Sequence, residues 1–251
     1  MQTHEGSTMK RLFASLFVLA LVNISLFAYQ FSPLNVTFEP SGGGSAKVYT
    51  IVNDSDSPIA IEVSAVKRSI TIDGEEYNED ASAYFTIQPS KMIITPQSTQ
   101  LVRVQYRGPR TVTEELSFRI ISEQIPYSTG AKSEGEGQMI SFLFVYSTSA
   151  YVQPGKVVEK VETTAAINEE GKLEIRLDNK GSVHQLLNDL SVTVKGNNGS
   201  TYTLTDEDMG AIKGSNLLCG ASLRIVMDVP STLVGATKFT PEIKYNYSWS
   251  N

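Results

Sequence analysis

The sequence predicts an all-β chain folded as two β-sandwiches, and three observations predict it. Short runs rich in Val, Ile, Tyr, Phe and Thr recur along the chain, punctuated by Gly, Pro, Asn, Asp and Ser, as strands and turns require. No long amphipathic helix interrupts them; QLLNDL at 185–190 comes nearest and is short. A break at Gln153-Pro154-Gly155 divides the runs into two series, each of a length suited to one domain.

The elements follow in order. Lys10 and Arg11 precede an apolar run over 12–28 that ends on a small residue, Ala28. A basic start, an apolar middle and a small residue at the end make a secretory signal. A membrane anchor needs ~20 apolar residues, and Asn23 and Ser25 weaken this run. Residues 1–28 are therefore read as a signal peptide, with the mature chain starting at Tyr29 in the periplasm. No other segment reads as a membrane span. Strands are expected at 35–38, 47–52, 59–67, 69–72, 84–87, 92–94, 101–106, 116–122 and 139–151. SGGG at 41–44, NDSDSP at 53–58 and DGEE at 73–76 supply bends and hairpins. After the break, strands are expected at 157–165, 172–177, 190–195, 201–204, 223–229 and 239–247. NNGS at 197–200 is a hairpin turn. The expected domains are 29–153 and 154–251.

Several function classes are set aside. Net charge is −6 with scattered basic residues, so nucleic-acid binding has no electrostatic footprint. One cysteine, Cys219, permits no internal disulfide and is expected as a small buried hydrophobe. With two histidines, of which His184 sits alone in an expected loop, neither a nucleophilic triad nor a zinc site can be assembled. The acidic run DGEEYNED at 73–80 lacks the spacing of a calcium loop and reads as a solvated hairpin tip. No cofactor is expected, and the chain reads as a binding protein rather than an enzyme.

The most informative segment is the run QMISFLFVYSTSAYVQP, which follows the polar, Gly-rich loop 128–138. Its start is apolar on both faces. A strand apolar on one face needs one core; a strand apolar on both needs a second partner, from its own fold or another chain.

The pattern Pro89…Ile94-x-Pro96…Val102-Arg103-Val104, then Glu115…Phe118…Glu123-x-Ile125-Pro126, then a long apolar strand ending at Pro154, resembles the periplasmic chaperones of the chaperone–usher pilus pathway. Phe31-Ser-Pro33…Asn53-Asp54 and the hairpin around Asp73-Gly74 look more like the archaic or alternate branches. The resemblance implies two immunoglobulin-like domains in a boomerang arrangement. It implies a chaperone that lends a strand to pilus subunits lacking one, and partners comprising those subunits and an outer-membrane usher. Self-association of the free chain stays open. Placed against Pro154, the donated residues are expected to be Ile140, Phe142, Phe144 and Tyr146. Leu143 and Val145 are expected to face the chain's own core, because side chains alternate along a strand.

Two departures matter. The basic pair that in this family anchors a subunit's C-terminal carboxylate falls here on Asn35 and Ser149, neither of them charged. The family's Arg-Pro at the domain junction is Gln153-Pro154, which puts the junction network beginning at Glu115 in doubt. Two other readings compete. One is a structural immunoglobulin-like component of a surface appendage, which would keep its edge strand covered. The other is a carboxylate-dependent periplasmic hydrolase, which needs a pocket with two close, perturbed carboxylates.

Overall fold

The computed structural model describes residues 29–127 and 142–246. The first part of the chain forms β1 (Gln30–Ser32), β2 (Asn35–Phe38), β3 (Ala46–Asn53), β4 (Ile59–Ile70), β5 (Glu76–Asp80), β6 (Phe85–Gln88), β7 (Lys91–Ile94), β8 (Ser98–Tyr106), β9 (Leu116–Ile125) and β10 (Val145–Val152). One sheet has the order β1-β3-β8-β6; the other has β2-β10-β9-β4-β5, with β7 also paired to β4. Alternation builds the core between them. Tyr49 and Ile51 on β3 and Val102 and Val104 on β8 point inward, against Ile61 and Val63 on β4, Phe118 and Ile120 on β9, and Ala150 and Val152 on β10. Each large side chain so buried is worth ~1.5–3 kcal/mol. Phe85 meets Phe118 edge-on at 5.0 Å and Phe31 stacks on Tyr49 at 5.1 Å.

The second part forms β11 (Val161–Ile167), β12 (Leu173–Asn179), β13 (Gln185–Leu186), β14 (Asn188–Gly196), β15 (Thr201–Thr203), a single-turn helix α1 (Asp206–Met209), β16 (Asn216–Leu217), β17 (Ser222–Met227) and β18 (Phe239–Asn246). Its main sheet runs β15-β14-β18-β11-β12-β17, and β13 pairs with β16. A separate core holds Leu173, Ile175 and Leu177 with Val192, Val194, Leu223 and Ile225. A buried asparagine closes a strand in each part. Asn53 Nδ2 donates to the carbonyls of Ser57, Ile94 and Thr95, and Asn179 Nδ2 donates to those of Val183, Leu217 and Leu218. These amides satisfy loop carbonyls that would otherwise be stranded near the core.

Three expectations about elements need correction. The strands expected at 59–67 and 69–72 are one continuous strand, β4. The acidic run 73–80 is not only a tip: the turn closes over residues 71–75, and residues 76–80 form β5, paired to β4 with Arg68 opposite Asn78. Its all-exposed polar composition hid it, because its pairing comes from the backbone rather than from an apolar face. The strand expected at 139–151 begins, within the described residues, at Val145; residues 139–141 lie outside them. The arm formed by β4 and β5 reaches the second part, where Ile70 packs on the second core and the N–H of Arg224 donates to the carbonyl of Ile72 at 2.9 Å.

Candidate functional site

β10 pairs with β9 along its whole length but with β2 only over Ser149–Val152. Among the described residues, no strand pairs with the outer edge of 145–148. Beside this open edge stand Phe142, Leu143 and Val145, 63%, 46% and 59% exposed. Unpaired backbone together with exposed apolar side chains is a template for another strand.

The expected orientation of this segment is inverted at four positions. Phe144 and Tyr146 pack against the chain's own core, while Val145 points out. The Tyr146 hydroxyl donates to the carbonyl of Tyr29, and the two rings meet edge-on at 4.8 Å. Leu143 is likewise outside rather than in the core. Phe142 is exposed as expected, and Ile140 lies outside the described residues. The phase was hard to read because Ser147, Thr148 and Ser149 are three polar residues in a row. Thr148 is the inward one, and its hydroxyl donates to the Ile120 carbonyl at 3.0 Å. Tyr29, whose hydroxyl bonds Ser122, has its pKa pushed up to about 12 by burial.

Asn35 and Ser149 are brought together as direct neighbours in the parallel pairing of β2 and β10. The charge missing from both is supplied nearby by residues that sequence reasoning overlooked. Arg119 on β9, opposite Ser149, donates from Nη1 to the Ser149 hydroxyl at 2.9 Å. Its Nε and Nη2 grip Glu76 of β5 at 2.9 and 2.5 Å, and Arg68 Nε of β4 donates to the same carboxylate at 2.6 Å. Burial alone would raise the Glu76 pKa, but the Arg119 hydrogen bonds and the two positive charges outweigh it and hold the carboxyl below its ordinary value. The usable signal was alternation: Arg119 lies between inward Phe118 and Ile120, so it must project outward, paired with Val66 on the neighbouring strand and thus two residues from Arg68 on the same face.

The junction between the two parts is built around Tyr151. Its ring stacks on His184 at 4.0 Å and 13°. Its hydroxyl accepts from Asn216 Nδ2 at 2.7 Å and from Arg68 Nη1 at 3.4 Å. Glu115, buried, accepts from the backbone N–H of His184 at 3.1 Å, and its Oε1 lies 2.7 Å from His184 Nδ1. The network in doubt at Glu115 thus exists, with a histidine where an arginine was sought; His184 is buried rather than alone in a loop. Arg224 adds an exposed fork onto Asp73 at 2.7 and 3.1 Å.

Cys219 is half-buried rather than buried, its thiol donating to the Gly181 carbonyl at 3.4 Å; burial pushes its pKa up to about 11. A polar surface pocket of about 310 Å³, lined by Ser45, Tyr106, Arg107 and Arg110 among others, contains no carboxylate and offers nothing to the hydrolase reading. Among the described residues, no cluster of His, Cys, Asp and Glu could hold a metal, and no helix is long and apolar enough to cross a membrane.

Residues 33–157 match the family described as pili and flagellar-assembly chaperone, PapD N-terminal domain. A comparison with curated protein sequences returns no match. Among solved structures, the class 5 fimbriae chaperone CfaA is similar at 12% identity and TM-score 0.56, with 87% of this chain and 100% of that one covered. The CsuC–CsuE chaperone–tip adhesion subunit complex of archaic Csu pili from Acinetobacter baumannii matches at 14% identity and TM-score 0.54, covering 87% and 97%. The E. coli chaperone DraB matches at 15% and 0.52, covering 86% and 98%. At these identities the likeness establishes the fold, two immunoglobulin-like sandwiches in one chain. With the family match over the segment that carries the open edge, the chain belongs to the pili and flagellar-assembly chaperones.

Proposed function

We propose that this chain is a periplasmic chaperone that caps fibre or pilus subunits by lending them β10, then delivers them to an outer-membrane usher. The observation that carries this reading is the outer edge of 145–148, which has no strand partner among the described residues and lies beside exposed Leu143 and Val145. A sandwich missing its last strand exposes apolar surface and unpaired backbone; an extended segment satisfies both, by main-chain bonds and alternate side chains. The lent side chains are therefore reassigned to Leu143 and Val145, with Phe142 at the approach. Phe144 and Tyr146 belong to the chaperone's own core. The structural-component reading is disfavoured by the same edge, which such a component would keep covered.

The function is binding, not catalysis. Residues 1–28 act as a signal cleaved after Ala28, and the two domains divide at 153/154. The test is co-expression with a fibre subunit that lacks its final strand. The subunit should accumulate soluble and bound only when this chain is present in the periplasm. Equal recovery of soluble subunit without it would refute the reading.

A further inference from the structure

The polar pocket of about 310 Å³ lies between the loop that joins β2 to β3 and the end of β8. Ser41 and Gly42 of the loop line it together with Tyr106, Arg107, Gly108 and Arg110. It shares no residue with the open edge of β10 or with the groups at the junction. The loop leaves β2 at Phe38, opposite Val152, which is the end of β10 away from 145–148. The other lining segment continues β8, in the opposite sheet.

Two positive charges stand here without a counter-charge. Arg107 and Arg110 stay charged at any working pH. Among the described residues neither has a carboxylate within ion-pair distance. Arg107 donates only from Nε, to the neutral hydroxyl of Thr86 at 3.3 Å, which leaves its two terminal nitrogens available. Glu39 is outside the lining and packs over Gly44, where a Cβ would overlap its carboxyl carbon. In a chain of net charge −6 this is a local reversal of sign.

A third donor is buried at the same place. Tyr106 is 3% exposed, and its hydroxyl has no hydrogen-bond partner. Burial pushes its pKa up to about 12, so the oxygen keeps its proton. Gly108 lies against this hydroxyl: a Cβ there would overlap it, so only the bare backbone of a glycine can pass. A buried hydroxyl left without a partner is destabilising, and an acceptor brought in beside Gly108 would relieve it.

We propose that this pocket is an anion site that takes the phosphate group of a small polar phosphate ester, held by the guanidinium forks of Arg107 and Arg110 and by the Tyr106 hydroxyl. Two forks and a hydroxyl suit a tetrahedral phosphate, whose oxygens can serve all three, better than a planar carboxylate with two oxygens. The volume is at the lower end for small-ligand pockets, and the polar lining suits a hydrophilic ligand. The same phosphate chemistry is carried by a free ester and by a lipid headgroup. The inference is independent of the strand-lending reading.

The experiment uses the full exported chain, nitrogen-15 labelled, and follows the Nε–Hε resonances of Arg107 and Arg110. Glycerol 3-phosphate, inorganic phosphate, acetate and chloride are titrated at matched ionic strength. Vesicles of phosphatidylglycerol are compared with vesicles of phosphatidylcholine by co-sedimentation. Both resonances should saturate with phosphate or its glycerol ester at a concentration roughly tenfold or more below that of acetate or chloride, the size of one charge-assisted bond. Arg107→Gln with Arg110→Gln should abolish the response; both side chains are exposed, so the fold should hold. Tyr106→Phe should weaken phosphate binding severalfold yet melt no lower than wild type, which a purely structural hydroxyl would not do. Response to the soluble ester alone identifies a free ligand, and selective sedimentation with phosphatidylglycerol identifies a headgroup; either supports the site. Equal responses to phosphate and chloride, equal responses to phosphate and acetate, or phosphate binding that survives the double arginine variant, would overturn it.

Discussion

Glu115 and His184 meet across the junction: the carboxylate at the head of β9 accepts the His184 backbone N–H at 3.1 Å, with the ring Nδ1 at 2.7 Å from the same oxygen. Glu115→Ala should cost about 1–3 kcal/mol, the range for deleting a partner of buried hydrogen-bonding groups. Calorimetry should show the loss as a downward shift of the transition, moderated by the junction contacts of Tyr151, Ile70 and Arg224 that remain. A single, unshifted transition would show that the junction does not depend on this pair.

Phe144 and Tyr146 should behave as core residues. Phe144 is only partly buried, so Phe144→Ala should destabilise by about 2 kcal/mol, below the ~3–5 kcal/mol of a fully buried phenylalanine. Chemical denaturation measures it directly. A loss below about 0.5 kcal/mol would mean that the side chain faces out.

The Glu76 carboxyl is held below its ordinary pKa of 4.5 in the folded chain. A depressed carboxylate stabilises the fold above its unfolded pKa, and that stabilisation is lost as pH falls through the folded value. Between pH 7 and 5 wild type and Glu76→Gln should therefore keep a constant stability difference. Below 4.5 the difference should shrink. Parallel melts across that range check the sign; a difference that widened on acidification would contradict it.

The Cys219 thiol, with its pKa near 11, should be a poor nucleophile in the native state. At pH 8 its thiolate fraction is on the order of a hundredfold below that of an ordinary cysteine. Iodoacetamide labelling should be correspondingly slow in the folded protein and normal in denaturant. Rapid native labelling would contradict the environment described.

The two-sandwich architecture was legible because inward residues alternate with outward ones in strands such as β3, β8 and β12, a period that needs no tertiary information. β5 was not, since an exposed strand with Glu, Asn and Asp carries no apolar period, and its pairing is set by the β4 backbone. The parity of β10 was misjudged because buried Thr148 breaks the polar-out rule. The Arg68–Glu76–Arg119 trio joins the β4–β5 hairpin to β9, 43 residues further along the chain from Glu76, so only the sheet order reveals it. Asn35 and Ser149 are neighbours through the parallel pairing of β2 and β10, and the charge beside them, Arg119, stands on the next strand, β9, invisible to a pattern read at 35 and 149 alone.

The strand-lending claim is tested most directly by replacing Leu143 and Val145 together with Ser. Each carries about half or more of its surface to solvent in the free protein, so thermal melting should be unchanged. If both enter a subunit groove, each loses up to ~1.5–3 kcal/mol of burial, several kcal/mol in total. Co-purification of the variant with a subunit lacking its final strand should then drop by at least a hundredfold while the melting temperature holds. Undiminished co-purification, with the fold intact, would contradict the account.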